Sequence, residues 1–115
     1  GIDVEVIKAV HTQSAYPVGY VIRGENTSIY YAGDTYSFNE MSKIKCDVAI
    51  VPIGGGSVMD PFAASLCIKE IRPKIAIPIA YNTYEKNKQD PEDFLGDLGS
   101  ITKGVALKVG QELRF

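Results

Sequence analysis

Histidine is the scarcest of the side chains here that could bind a metal or move a proton, and the chain has one, His11. Zinc hydrolases hold their ion with several histidines and carboxylates while leaving one position for water, so His11 cannot assemble such a site alone. Asp34, between Gly33 and Thr35, reads either as a ligand or as a turn aspartate bonding its own backbone. Gly54-Gly55-Gly56-Ser57 could turn backbone N–H groups toward an anion. It lacks the Lys-Ser/Thr of a phosphate loop, which favours a tight turn or a close backbone approach. Tyr81-Asn82-Thr83-Tyr84 is a hydrogen-bonding cluster that specifies no reaction. Cys46 and Cys67 are too isolated for a disulfide scaffold or a C-x-x-C metal site, and both read as reduced, partly buried thiols.

These residues share a position, because each group follows directly on a predicted strand. Val4, Val6 and Val10 alternate up to His11, and Thr12 to Pro17 breaks the pattern. Val18–Arg23 and Thr27–Ala32 form a hairpin around Gly24-Glu25-Asn26. Phe38–Ile44 suggests a short helix. Asp47–Ile53 has the nearly continuous apolar profile of a strand buried on both faces. Asp60-Pro61 starts a helix with Asp as N-cap and Pro at the first position, and it should end before Pro73. Lys74–Ile79 reads as a strand in which Pro78 signals an edge or an end. Asp90-Pro91 opens a weaker helix through Leu98, and Val105–Val109 with Glu112–Phe115 are expected to close the chain as two strands. Strand ends of this kind commonly converge on one rim in layered α/β proteins, where sites are built. The fold class expected is α/β, or mixed α+β.

Length and charge narrow the alternatives. The 115 residues, 45% of them hydrophobic, suit one domain over 1–115 with one modest core. Twelve basic residues against fourteen acidic, without a block of like charge, argue against nucleic acid as a partner. No apolar run approaches the roughly 20 residues of a membrane span, and the first residues lack a signal-peptide profile. The chain therefore reads as soluble and cytoplasmic, and the Asn26-Thr27-Ser28 sequon carries no weight without secretion.

Taken together, Ala9-Val10-His11-Thr12, Ile29-Tyr30-Tyr31-Ala32-Gly33-Asp34-Thr35, Val51-Pro52-Ile53-Gly54-Gly55, Met59-Asp60-Pro61 and Ile77-Pro78-Ile79-Ala80-Tyr81-Asn82-Thr83 stand in the order and spacing of one family. From about Val4 to Asp93 the chain resembles the C-terminal half of a metallo-β-lactamase superfamily hydrolase. It looks most like the small metal-dependent hydrolases related to ascorbate-6-phosphate lactonase and to the phospholipase D that cleaves N-acyl phosphatidylethanolamines. The resemblance implies that His11 is a ligand of the first metal and Asp34 the carboxylate bridging two, with zinc or manganese as the ion. It makes Tyr81 and Asn82 the substrate-contacting candidates. It also exposes a departure: where the family has a histidine before Tyr-Asn-Thr, this chain has Ala80, and a methyl group binds no metal. The family's His-x-His-x-Asp-His segment is absent as well.

Two functions follow from the resemblance. One is a hydrolase of ester, lactone or phosphodiester bonds in which this chain supplies part of the metal site and a partner the rest. The other, favoured by Ala80, is a non-catalytic binding or assembly module. A phosphate-binding domain built on the glycine turn is a third, without a basic anchor to support it. The fold implied is half of an αββα sandwich, one mixed sheet with helices on its outer face. Helices cover only one face of Asp47–Ile53 and Lys74–Ile79. Leaving ~600 Å² of apolar sheet wet would forfeit on the order of 15 kcal/mol at about 25 cal/mol per Å². A sheet-to-sheet homodimer, or a complex with the complementary N-terminal half, is the expected remedy.

Overall fold

The computed structural model describes all residues, 1–115. Six strands, β1 (Asp3–Lys8), β2 (Val18–Arg23), β3 (Ser28–Tyr31), β4 (Val48–Pro52), β5 (Ile75–Ile79) and β6 (Lys103–Gly104), form one sheet in chain order. The first three pair antiparallel and β3 to β6 pair parallel, which makes the sheet mixed. The β2–β3 hairpin is the one anticipated around Gly24. The short helix expected at Phe38–Ile44 is a 3-10 helix over Asn39–Lys43. The main crossover helix, α1 (Pro61–Ile71), joins β4 to β5.

Local chemistry sets the ends of α1. The Asp60 carboxylate accepts the Ala63 N–H at 2.8 Å, Pro61 takes the first helical position, and Arg72 closes the helix in a left-handed conformation before Pro73. Its inner face, with Ala64, Cys67, Ile68 and Ile71, meets Val21, Tyr30, Ala49, Val51 and Ala76 from one face of the sheet. Met41, Phe94 and Leu98 complete that core.

Two expectations at the carboxyl end are corrected. The second helix, α2 (Pro91–Leu95), stops before Gly96 instead of running to Leu98, in line with the low helix propensity of glycine. The strands expected over Val105–Val109 and Glu112–Phe115 do not form. The edge strand is β6, and it pairs only with Ile75 and Ala76. Its ladder ends with the Val105 N–H on the Ala76 carbonyl. The next parallel rung would need a donor from residue 78, and Pro78 has none. Pro78 therefore does mark an edge, as its type suggested, and the chain beyond turns through Lys108–Gln111.

The second face of the sheet also departs from expectation. On β4 and β5 Val48, Pro52 and Ile77 are buried, and Ile50, Ile75 and Ile79 on the same face are half-buried. The apolar side chains left wet lie on β1 to β3: Val4, Val6, Val18, Tyr20, Ile22 and Tyr31, between 36% and 62% exposed. Register places all of them on one face, opposite the core side chains Val21 and Tyr30. On β1 the polarity is the reverse of a solvated edge, because Asp3 and Glu5 take the helix-side face and Val4 and Val6 the open one.

At the rim where β3, β4 and β5 begin, Asp47 ties the strands together. Its Oδ2 accepts the Ser28 N–H at 2.9 Å, its own N–H donates to the Ser28 carbonyl, and its carbonyl accepts the N–H groups of Lys74 and Ile75. Lys74 Nζ lies 3.5 Å from the carboxylate. The Ser28 N–H, and more weakly Lys74, hold this carboxyl below its usual range against a smaller opposing desolvation. A depressed native pKa contributes stability that is complete above the unfolded value near 4 and is lost as pH falls through the native one. Asp47→Asn should therefore cost up to about 1 kcal/mol at pH 7 after solvent screening and flatten the acid limb of stability below about pH 4, read by urea unfolding at a series of pH values. An unchanged acid limb would contradict the clamp.

Candidate functional site

Because β1 runs parallel to β3, and β3, β4 and β5 run parallel to one another, the carboxyl ends of these strands share a rim. His11, Asp34, Gly54–Ser57 and Ala80–Thr83 all follow on it. The loops are sewn together by backbone bonds. The Val10 N–H donates to Thr35 Oγ1 at 2.9 Å and the Tyr36 N–H to the Val10 carbonyl at 2.8 Å. The Met59 N–H bonds the Thr35 carbonyl, and Thr35 itself is fully buried. Thus His11 and Asp34 are carried by adjoining segments.

The glycine turn is a close approach. A Cβ at Gly54 would sit on the Ala80 carbonyl oxygen and 3.1 Å from Asn87 Cβ. Its backbone groups are also spoken for. The Gly54 carbonyl accepts from Gln89 Nε2 at 3.2 Å, the Gly56 carbonyl from the Tyr36 hydroxyl at 2.7 Å, and the Gly55 N–H donates to the Met59 carbonyl. This is the steric reading of the triple glycine, and it weakens the phosphate reading further.

Around this turn lies a cavity of about 210 Å³ lined by Asp34, Gly54, Gly55, Ser57, Val58, Ala80, Thr83, Tyr84 and Asn87. Asp34, exposed at the rim, brings to it the one ionised side chain among these residues, and no side-chain hydrogen bond engages its carboxylate. His11 does not line the cavity. Its Nδ1 accepts the Gln13 N–H at 3.2 Å. Tyr81 packs against the apolar core, and burial raises its phenol pKa. The Asn82 side-chain carbonyl accepts the Gln89 N–H at 2.8 Å, and Asn82 lines a wider polar groove with Glu85, Asp90 and Asp93. Asp34 and Ala80 are thus brought together, whereas His11, Tyr81 and Asn82 stand around the cavity without lining it.

Loop-bracing residues carry the site, and the motif reading passed them over. Asn87 is buried; its Oδ1 accepts the N–H groups of Thr83 and Tyr84, and its Nδ2 donates to Thr83 Oγ1 at 2.6 Å. The only advance signal was an amide residue a few positions after a strand end, a pattern shared by ordinary turns. The thiols offer no nucleophile. Burial pushes Cys67 up to about 12 and Cys46 up to about 11, and Cys67 Sγ lies 3.5 Å from Met41 Sδ.

A divalent ion held firmly needs three or four donors. Nowhere in the chain do three His, Cys, Asp or Glu side chains gather as such a set. With His11 outside the cavity and a methyl group at position 80, the residues present do not make a metal centre by themselves.

Comparison with known proteins places this geometry. Residues 1–80 match the profile of a beta-lactamase superfamily domain. The chain is 41% identical over 122 aligned positions to a metal-dependent hydrolase of Sulfolobus acidocaldarius, covering all of this chain and 54% of that protein. It is 44% identical over 105 positions to one from Staphylothermus marinus, covering 86% of the chain and 46% of the relative. Among solved structures, Igni18, a metallo hydrolase from Ignicoccus hospitalis, superposes with a TM-score of 0.89 at 32% identity, over 96% of this chain and 52% of that one. An isothiocyanate hydrolase from Delia radicum gut bacteria shares the fold alone, with a TM-score of 0.82 at 14% identity over 100% of this chain and 54% of its own. The chain spans about half the length of the curated relatives it matches.

The close approach at Gly54 yields a graded prediction. Gly54→Ala should lose about 3 kcal/mol, because backbone must move. Gly56→Ala, with open space but φ of +70°, should lose about 1–2 kcal/mol. Equal losses in urea unfolding would contradict the steric account.

Proposed function

This chain belongs to the metallo-β-lactamase superfamily, and we propose that it works as one half of a metal-dependent hydrolase of the ester, lactone or phosphodiester class. Its apolar β1–β3 face is covered, and its site completed, by a segment like the part of the relatives that it does not span. The observation that carries this reading is the reversed polarity of the sheet. Val4, Val6, Tyr20, Ile22 and Tyr31 lie exposed on one face while Asp3, Glu5 and Arg23 take the other. An apolar face of that extent on a chain this small marks an interface. Half coverage of the relatives says what kind of surface would meet it, a second sheet packed about 10 Å away.

In this reading Asp34 and His11 are the chain's contribution to a zinc or manganese centre whose other donors lie outside it. Tyr81 and Asn82 shape the loop beside that centre. Alone, the chain has no means of activating water, because its thiols are held protonated and its histidine has no nucleophile partner. A second reading, a non-catalytic binding module, is favoured by one specific residue, Ala80 in the cavity wall.

The test is complementation. The segment of the Sulfolobus acidocaldarius relative that this chain does not span is mixed with it, and hydrolysis of lactone, aryl ester and phosphodiester substrates is followed with zinc and with manganese. The expected outcome is no turnover by either part, a stable one-to-one complex, and metal-dependent turnover that drops at least about 100-fold in Asp34→Ala. A stable complex without turnover would favour the binding module. Turnover by the isolated chain, or no complex, would overturn the proposal.

A further inference from the structure

A second hollow lies at the β1 edge of the sheet and shares no lining residue with the Asp34 cavity. Val21 and Ile44 belong to the core that α1 covers, and the half-buried Ile7 and Phe38 pack against its margin. Between β1 and the segment Phe38–Lys45 these four side chains line a cleft of about 330 Å³. Cavities that take small molecules begin at about this size, and they are lined mainly by apolar side chains with a few placed polar groups.

The charges around the cleft are uneven. Lys8, Arg23, Lys43 and Lys45 stand against two carboxylates, Glu5 and Glu40, on a chain whose net charge is -2. Arg23 Nη1 lies 2.7 Å from Glu5 Oε1. Lys8 Nζ lies 3.8 Å from Glu40 Oε1 and 5.9 Å from the centre of the Phe38 ring. Both carboxylates are thereby matched. Lys43 and Lys45 make no salt bridge, and they flank Ile44 in the chain, so the uncommitted positive charge borders the apolar lining.

A ligand that matches both features has a hydrocarbon body and one negative head. The body replaces water over Ile7, Phe38 and Ile44, and the head meets the two free ammonium groups. A single charge suits the rim better than two, because Glu5 and Glu40 border the same lining and would repel a dianion. We propose that this cleft is a binding site for a medium-chain aliphatic carboxylate, its tail between Ile7, Phe38 and Ile44 and its head at Lys43 and Lys45. Neither wall belongs to the Asp34 cavity, so the acid binds whether or not the chain forms half of a hydrolase.

Calorimetric titration of the full chain with sodium octanoate tests this, with circular dichroism to confirm the folding of each variant. One octanoate should bind per chain with a Kd of about 1 mM or tighter. Hexanoate should bind about tenfold more weakly, since each methylene taken out of water is worth roughly a factor of four. Octylammonium, with the same body and the opposite charge, should bind at least about fivefold more weakly than octanoate. Lys43→Gln with Lys45→Gln should erase that preference by weakening octanoate about fivefold. Tyr20→Gln with Ile22→Gln alters the exposed apolar face on the other side of the sheet and should leave octanoate binding unchanged. No saturable binding of octanoate, or equal affinity for octylammonium, would overturn the proposal, and neither result needs a variant. So would octanoate binding that is unmoved by the lysine substitutions, or lost in the folded Tyr20→Gln, Ile22→Gln chain, which would put the ligand on the open face instead.

Discussion

Parallel pairing of β3, β4 and β5 is the constraint on which the rest depends. A parallel ladder forces successive strands to begin on one rim and end on the other, with a crossover between them. On the starting rim Asp47 holds all three strands by backbone and carboxylate bonds. On the finishing rim the chain must turn away from the sheet each time, and those turns carry Asp34, the glycine run and Ala80. The same division sets rigidity. The clamped rim is fixed by Asp47, whereas the site rim is held by bonds between loops, such as Thr35 to Val10 and Tyr36 to Gly56.

The sheet explains both what the chain does well and what it lacks. One face is closed by α1, α2 and the 3-10 helix over a contiguous core. On the other the β4 and β5 side chains are buried or half-buried, and the β1–β3 side is left apolar and wet. The site lies on the rim where β1 and β3 end. The curated relatives that the chain matches are about twice as long as this chain.

Much of this was legible in the residues. The Gly24 hairpin, the Asp60-Pro61 start and Pro73 stop of α1, and the convergence of strand ends on one rim follow from local rules of turn and cap chemistry, and the structure shows each. Failures arose where pairing, not propensity, decides. Val105–Val109 has the composition of a strand, yet a strand exists only beside a partner, and Pro78 withdraws the donor at the rung that would extend β6. Asp47 reads as the polar edge of an apolar run; its role as a clamp depends on Ser28 and Lys74, distant in sequence. Within the site, Asp34 and Ala80 were visible through their setting, while the bracing by Asn87 and Gln89 is a tertiary fact that no local pattern encodes.

The claim that this chain is an uncovered half is tested most directly by light scattering during size exclusion at micromolar concentration, with a hydrophobic dye present. The account predicts a dimer or larger species, or a monomer that binds the dye strongly. Val6→Glu with Tyr20→Glu should remove both the association and the dye signal without loss of circular dichroism. A stable monomer of the unaltered chain that binds no dye would contradict it, because the β1–β3 face would then be closed within the chain.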